Sequence, residues 1–261
     1  MRRVSVVTVC FNDLVNLRKT WDSLVSQTNR DWEWVVVDGG SSDGTGHFLE
    51  ELLKEFPTLN IRYLSENDRG IYDAMNKGVT LAQGNYLIFM NSGDIFSDDS
   101  VLGNVSWAIN KNSHSLLYGD SLERYQDGTL RYKPARHHKF YWYGMFAHHQ
   151  AMFFHRDVFD NLRYPLEYSV GADYGLVCSI LSKKLSCAHL GIPICEFLRG
   201  GLSTSYAGWK QGEHDQYLIR VNLQKMSKIT ALLIKLTHNI MYQLRTKHSS
   251  LYHLARHMNT R

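Results

Sequence analysis

Two short runs, VSVVTV (residues 4–9) and WVVVD (residues 34–38), are apolar at almost every position. A strand with one wet face alternates apolar and polar residues. A strand without that alternation must be covered on both faces, the condition of a parallel sheet lying between helices. Between the two runs Leu17, Trp21, Leu24 and Val25 recur at helical spacing, which predicts a βαβ unit. The pattern continues with Phe48, Leu52 and Phe56 on a second helix, a strand over Ile61–Leu64, a helix over Ile71–Ala82 and a fourth strand, YLIFM, over residues 86–90. Strands that alternate with helices predict an open α/β sheet. In such sheets ligands sit beyond the carboxyl ends of the strands. A chain of 261 residues, 44% apolar and 21% charged, can bury a core of this kind without disulfides.

The second half is more mixed. SLLYGD followed by LERYQDGTLRYK predicts a strand and a hairpin turning at Asp127-Gly128. AMFFHRDVF reads as a strand leading into a short helix, and residues 171–184 as a helix. There is no internal repeat, no low-complexity stretch and no clean linker, and the one domain boundary expected is near Tyr206.

Polar residues gather where the first four strands end: Thr8 to Asp13, then Asp38 with GGSSDGT, then Glu66 to Gly70, then Asn91-Ser92-Gly93-Asp94. Asp38 can accept hydrogen bonds from a base or from ribose hydroxyls, beside glycines that permit a tight turn. Asp43 reads as a cap for the helix starting near Gly44. Asp94 has two readings. It can ligate a hard divalent cation, which needs only one or two protein carboxylates when phosphates complete its shell, or it can cap the helix near Val101. No G-x-G-x-x-G follows the first strand, which disfavours an ordinary dinucleotide site. Histidines from His137 to His149 lack zinc-site spacing.

In order and spacing, VSVVTVCFND, VVVDGGSSDGT, ENDRGIYDAMNKG and GNYLIFMNSGD resemble the family-2 glycosyltransferases, over roughly residues 3–205. Within them the chain is similar to bacterial transferases of exopolysaccharide and lipopolysaccharide assembly, including the colanic-acid type. The resemblance implies a GT-A fold over residues 1–205 and a nucleotide-diphosphate sugar as donor. It places Asp38, Thr8 and Asn12 near the nucleoside, and Asp68, Asn76 and Lys77 along the nucleotide. It makes Asp94 the metal ligand, with Asn91 in support, in a departure from the family's D-x-D; Mg²⁺ or Mn²⁺ is implied. Asp173 matches the carboxylate that deprotonates the acceptor hydroxyl in inverting members, with an N-cap as its alternative reading. His149 and Gln150 resemble an acceptor-side segment, and Arg199 is expected over the diphosphate or in a surface turn. A non-catalytic sugar-binding subunit and a sugar-1-phosphate nucleotidyltransferase stand as alternatives, the latter disfavoured by the absence of a Gly-rich basic loop after the first strand.

Residues 206–261 read as a helical, basic extension, with nine Lys or Arg against Glu213 and Asp215. Helical spacing over about residues 217–247 puts Leu232, Leu236, Ile240 and Leu244 in one row beside Ile229 and Leu233. That row suits an anionic membrane surface or packing on the catalytic body or on a second subunit. Nucleic acid is disfavoured, since no recognition motif accompanies the charge. With no signal-peptide pattern and no apolar run long enough to span a bilayer, the chain is expected to be cytoplasmic, with peripheral contact to the inner membrane on the first of those readings. The four cysteines are expected to be reduced core thiols.

Overall fold

The computed structural model describes residues 4–125, 127–198 and 205–247. Strands β1 (Val4–Cys10), β2 (Trp32–Asp38), β3 (Ile61–Ser65) and β4 (Tyr86–Phe89) are parallel, side by side, in the order β3-β2-β1-β4. They are linked by α1 (Leu14–Val25), α2 (Thr45–Glu55) and α3 (Ile71–Leu81). Along β1 and β2 the side chains alternate between two apolar layers. Val7, Val9, Val35 and Val37 pack with Ala74, Met75 and Val79 of α3. Val4, Val6, Trp34 and Val36 pack with Leu17, Trp21 and Leu24 of α1 and Phe48, Leu49 and Leu52 of α2. Both faces are dry, which is why neither run contains a polar alternation. Helix α3 lies so close to the sheet that a methyl group at Gly78 would sit 2.4 Å from the Val7 side chain.

The second half extends this sheet. β8 (Met152–His155) pairs antiparallel with β4, and β6 (Leu116–Arg124) antiparallel with β8, so β6 runs in the direction of the first four strands. β7 (Leu130–Lys133) folds back on β6 as the expected hairpin. Two strands lie outside the sequence-based expectations. β9 (Cys187–Leu198) runs parallel to β6, and β5 (Ile95–Phe96) pairs antiparallel with β9. Gly191 and Pro193 argue locally against a long strand, and the pairing accommodates them through register shifts between Tyr118 and Ser121.

Helices α4 (Val101–Lys111) and α5 (Ala172–Ser182) complete the body. Instead of one helix over about 217–247, the chain forms α6 (Tyr206–Asn222) and α7 (Lys228–Lys247). The break comes at Lys225, with φ 56, where the N–H of Met226 turns back to the carbonyl of Arg220 and Ser227 accepts from the N–H of Thr230. Helical spacing continues through the break, so periodicity alone does not show it. Ile219 of α6 is fully buried in the layer that also holds Tyr174 and Val177 of α5. All four cysteines are unpaired. No helix among the described residues is long and apolar enough to cross a membrane.

Candidate active site

The carboxyl ends of β1, β2 and β3 form a row in which Cys10 pairs with Asp38 and Asp38 with Ser65. Asp38 is buried, and its carboxylate accepts from the N–H and hydroxyl of Ser41 and, at 2.6 Å, from the hydroxyl of Ser65. It organises the loop that follows β2. The loop after β1 is stitched to it: the N–H of Asn12 donates to Ser41 Oγ at 2.7 Å, and the N–H of Ser42 to Asn12 Oδ1 at 2.8 Å. Asn12 takes a left-handed φ of 48, a conformation that asparagine tolerates better than most residues. Asp43 caps in two directions, accepting from the N–H of Leu14 at the start of α1 and from Thr45 at the start of α2.

This stitching leaves Phe11 standing out of the loop, 62% exposed. Gly39 lies between the Phe11 ring and Asp68. A Cβ there would be 2.8 Å from the Asp68 carboxylate and 3.2 Å from the ring, so any other residue would push the Asp68 side chain aside. Asp68 also accepts from the N–H of Gly70 at 2.7 Å. Lys77 holds the same loop from α3, reaching the carbonyl of Asn67 and the carboxylate of Glu66, each at 2.8 Å.

Beyond β4 the backbone turns at Asn91-Ser92-Gly93, and Asp94 points inward. Its carboxylate accepts from the N–H of Asn91 at 3.1 Å and from the side chain of Gln150. Asp98, not Asp94, bonds to Ser100 at the start of α4, which removes the helix-cap reading of Asp94. Burial pushes the Asp94 carboxyl up to about 7, the two hydrogen bonds offsetting only part of the desolvation. Asn91 Oδ1 is buried without a hydrogen-bond partner among the described residues. The described residues contain no group of three His, Cys, Asp or Glu side chains able to hold a metal by themselves. An undercompensated carboxylate beside an orphaned amide oxygen nevertheless fits a hard cation that takes its remaining ligands from phosphate and water.

Asp173 lies in the first turn of α5. Its Oδ1 accepts from the N–H of Tyr174 at 2.7 Å. Burial raises its carboxyl to about 6, the Asp215 charge adds to the rise, and hydrogen bonds from Tyr174 N–H and the Tyr72 hydroxyl oppose it. Tyr72 also donates to the carbonyl of Val170 at 2.6 Å. The entry to α5 is fixed from α6, where Asp215 Oδ2 accepts from the N–H groups of Val170 and Gly171 at 2.9 and 3.1 Å. Asp215→Ala would leave two buried donors unpaired. Urea denaturation should show a loss of about 2–5 kcal/mol, with Asp215→Asn, which keeps an acceptor, losing less.

Several expected contact residues lie elsewhere. Thr8 is fully buried and accepts from the indole N–H of Trp34 at 2.9 Å, so it belongs to the core and not to the crevice. Both ends of the Asn76 amide are engaged by the backbone of Tyr164, at 3.0 and 2.9 Å, leaving it a scaffold residue. His149 is buried against Phe89 and Phe154, with Nε2 2.8 Å from the Tyr164 hydroxyl. Burial lowers its pKa to about 3, so its ring is neutral. Gln150, by contrast, joins the Asp94 end of the site. Arg199 lies outside the described residues. Phe11, Tyr72 and Asp215 enter the site without having been singled out as contacts. The only local signal for Phe11 is an aromatic residue at a strand end, and along the sequence Asp215 reads as one of two acids in a basic tail.

A mostly parallel sheet with carboxylates collected beyond its strand ends, and a further carboxylate opening a helix in the second half, defines an open α/β protein whose site lies at the carboxyl edge of the sheet. The match to the family model "Glycosyl transferase family 2" over residues 5–172 makes the chain a member of that family of glycosyltransferases. It is 33% identical over 217 residues to a PGL/p-HBAD biosynthesis glycosyltransferase of Mycobacterium bovis, covering 77% of this chain and 79% of that protein. In fold it is similar to TarS 1-349 of S. aureus in complex with UDP-GlcNAc, with a TM-score of 0.67 and 16% identity over 97% of this chain and 75% of that one. It is also similar to the mannosyltransferase PcManGT of Pyrobaculum calidifontis in complex with GDP-Man and Mn2+, with a TM-score of 0.65 and 18% identity over 87% of this chain and 66% of that one.

Proposed function

We propose that the chain is an inverting transferase that moves a sugar from a nucleotide diphosphate to a hydroxyl of a glycan or lipid-linked glycan, in the assembly of a bacterial surface polysaccharide. The observation that carries this reading is Asp173, a carboxyl raised to about 6 and clamped by Tyr72 and the Tyr174 N–H at the start of a helix. A carboxylate of that pKa is charged at neutral pH and basic enough to take a proton from an attacking hydroxyl. Support for the donor side comes from the ends of β1 to β3 and the loops after them, which gather Phe11, Asn12, Asp38 and Asp68 at one edge. The base packs on the exposed face of Phe11, while Asp38 holds the loop against which the nucleoside rests. Lys77 and Asp68 line the path of the nucleotide, and Arg199 is assigned to the diphosphate. Gln150 orients the Asp94 carboxylate, and His149 supports the acceptor side from within the core.

Asp94 and the amide oxygen of Asn91 would hold a divalent cation, Mn²⁺ or Mg²⁺. The chemistry such an ion supplies is neutralisation of charge on the departing diphosphate. The acceptor oxygen attacks the anomeric carbon as the bond to the diphosphate oxygen breaks, and its proton passes to Asp173.

The test is a panel of UDP- and GDP-sugars, with and without Mn²⁺, read by calorimetry and by turnover on a water-soluble acceptor. One donor should bind in a cation-dependent way, and no binding by any member would sink the proposal. Phe11→Ala should weaken that binding about tenfold, in line with base–aromatic stacking, with an unchanged thermal midpoint because the ring is exposed.

A further inference from the structure

We propose that the outer face of α7 is a docking surface for an anionic lipid bilayer. The inner face of this helix is occupied. Ala231 and Ile234 are buried, the Tyr242 ring stacks on Trp209 of α6 at 3.9 Å, and His238 Nδ1 lies 3.0 Å from the Glu213 carboxylate. Lys235 sits over the Tyr217 ring. These contacts fix the rotation of α7 about its own axis. The opposite face then carries Ile229, Leu232, Leu233, Leu236 and Ile240, each between 47 and 75% exposed. At 100° per residue, Ile229, Leu233, Leu236 and Ile240 fall within about 60° of arc. Single exposed apolar residues are ordinary on a protein surface, whereas a continuous stripe of this size marks an interaction site.

Charge identifies the occupant. Beyond Asn222, the last residue of α6, the sequence contains seven Lys or Arg and no Asp or Glu. Helix α7 itself includes Lys228 and Lys235 and no carboxylate. A second copy seated on the stripe would bring cation against cation with nothing on either helix to offset them. A bilayer with anionic headgroups offers both the apolar layer and the countercharge. The 3-10 turn over His138–Trp142 exposes Phe140 and Trp142, and the Tyr143 that follows it packs edge-on against His238 of α7 at 4.5 Å.

Docking would also set the direction of the site. The Tyr174 hydroxyl, on the residue after Asp173, donates to the carbonyl of Tyr141 at 2.7 Å, and Arg220 donates to the carbonyl of Tyr143. Asp173 is thereby braced to the same turn that packs on α7. This consequence rests on the transferase reading, with the acceptor presented at a membrane; the docking itself does not.

The experiment is co-sedimentation of the full chain with vesicles of phosphatidylcholine alone and with about three parts in ten phosphatidylglycerol. Binding is expected to the anionic vesicles only, to weaken with added salt, and to fall at least about tenfold in L233E/L236E. Both positions are exposed, so the variant should keep its thermal midpoint and its cation-dependent donor binding. Absence of binding to the anionic vesicles, or equal binding to both kinds, overturns the proposal. So does a lipid-free dimer, seen by light scattering, that the double variant dissociates while vesicle binding stays unchanged. Donor binding is measured separately, so failure of the docking and failure of the transferase reading are told apart.

Discussion

Asp173→Asn is expected to lower turnover by about a thousandfold while donor binding stays within about twofold, on the scale of general-base catalysis. The substitution keeps the size of the side chain and leaves Oδ1 able to accept from the N–H of Tyr174. What it removes is the capacity to take a proton. The pH profile separates this from a structural effect. Burial raises the Asp173 carboxyl to about 6, so wild-type turnover should fall with decreasing pH below about 6, and the variant should lose that limb. The stability change has the opposite sign. A carboxyl whose folded pKa lies above its unfolded value contributes stability that is present below the unfolded pKa and is lost as pH rises through the folded one. At neutral pH the buried charge is therefore a cost. Asp173→Asn should leave the thermal midpoint at pH 7 unchanged or higher, so lost activity cannot be attributed to unfolding. A variant that retains more than about a tenth of wild-type turnover would remove Asp173 from the role of base.

On the same reading, Asp94→Asn is expected to abolish the cation dependence of donor binding. With Mn²⁺ present, affinity should fall by about two orders of magnitude, while in a chelator the variant and wild type should bind equally weakly. The amide can still accept from the N–H of Asn91, so the local turn is kept. Here too the sign on stability is informative. The Asp94 carboxyl is pushed up to about 7 by burial, so the stability it contributes is present below the unfolded pKa and is lost as pH rises through about 7. In the absence of cation the variant should have a higher thermal midpoint than wild type at pH 8, and saturating Mn²⁺ with donor should raise that of wild type only. Calorimetry and thermal unfolding in parallel check both halves. Cation-dependent binding that survives in the variant would move the metal site elsewhere.

Much of the fold was legible along the chain because its signals are local. The runs at residues 4–9 and 34–38 lack alternation, which requires cover on both faces, and the helices between them follow from spacing alone. β9 was not legible. Gly191 and Pro193 count against a strand locally, and the partner that accommodates them, β6, lies far back in the sequence. Part of the site was legible in the same limited way: Asp94 and Asp173 were singled out, but the surroundings that lift their pKa values were not.

The sequence by itself determined the parallel half of the sheet, the edge at which polar residues collect, and the acid-free, basic end of the chain. Each depends on composition and period over a dozen residues or so. Only the tertiary structure decided which polar residues of that edge remain available. Thr8 and His149 turn inward, and Asn76 is used up on the backbone of Tyr164, 88 positions away. The geometry of Asp173 depends on Asp215, which reaches back 45 positions to Val170. A hydrogen-bonding group is free or engaged according to the neighbours that folding brings to it. Those neighbours come from distant segments, so the sequence order around each residue carries no trace of them.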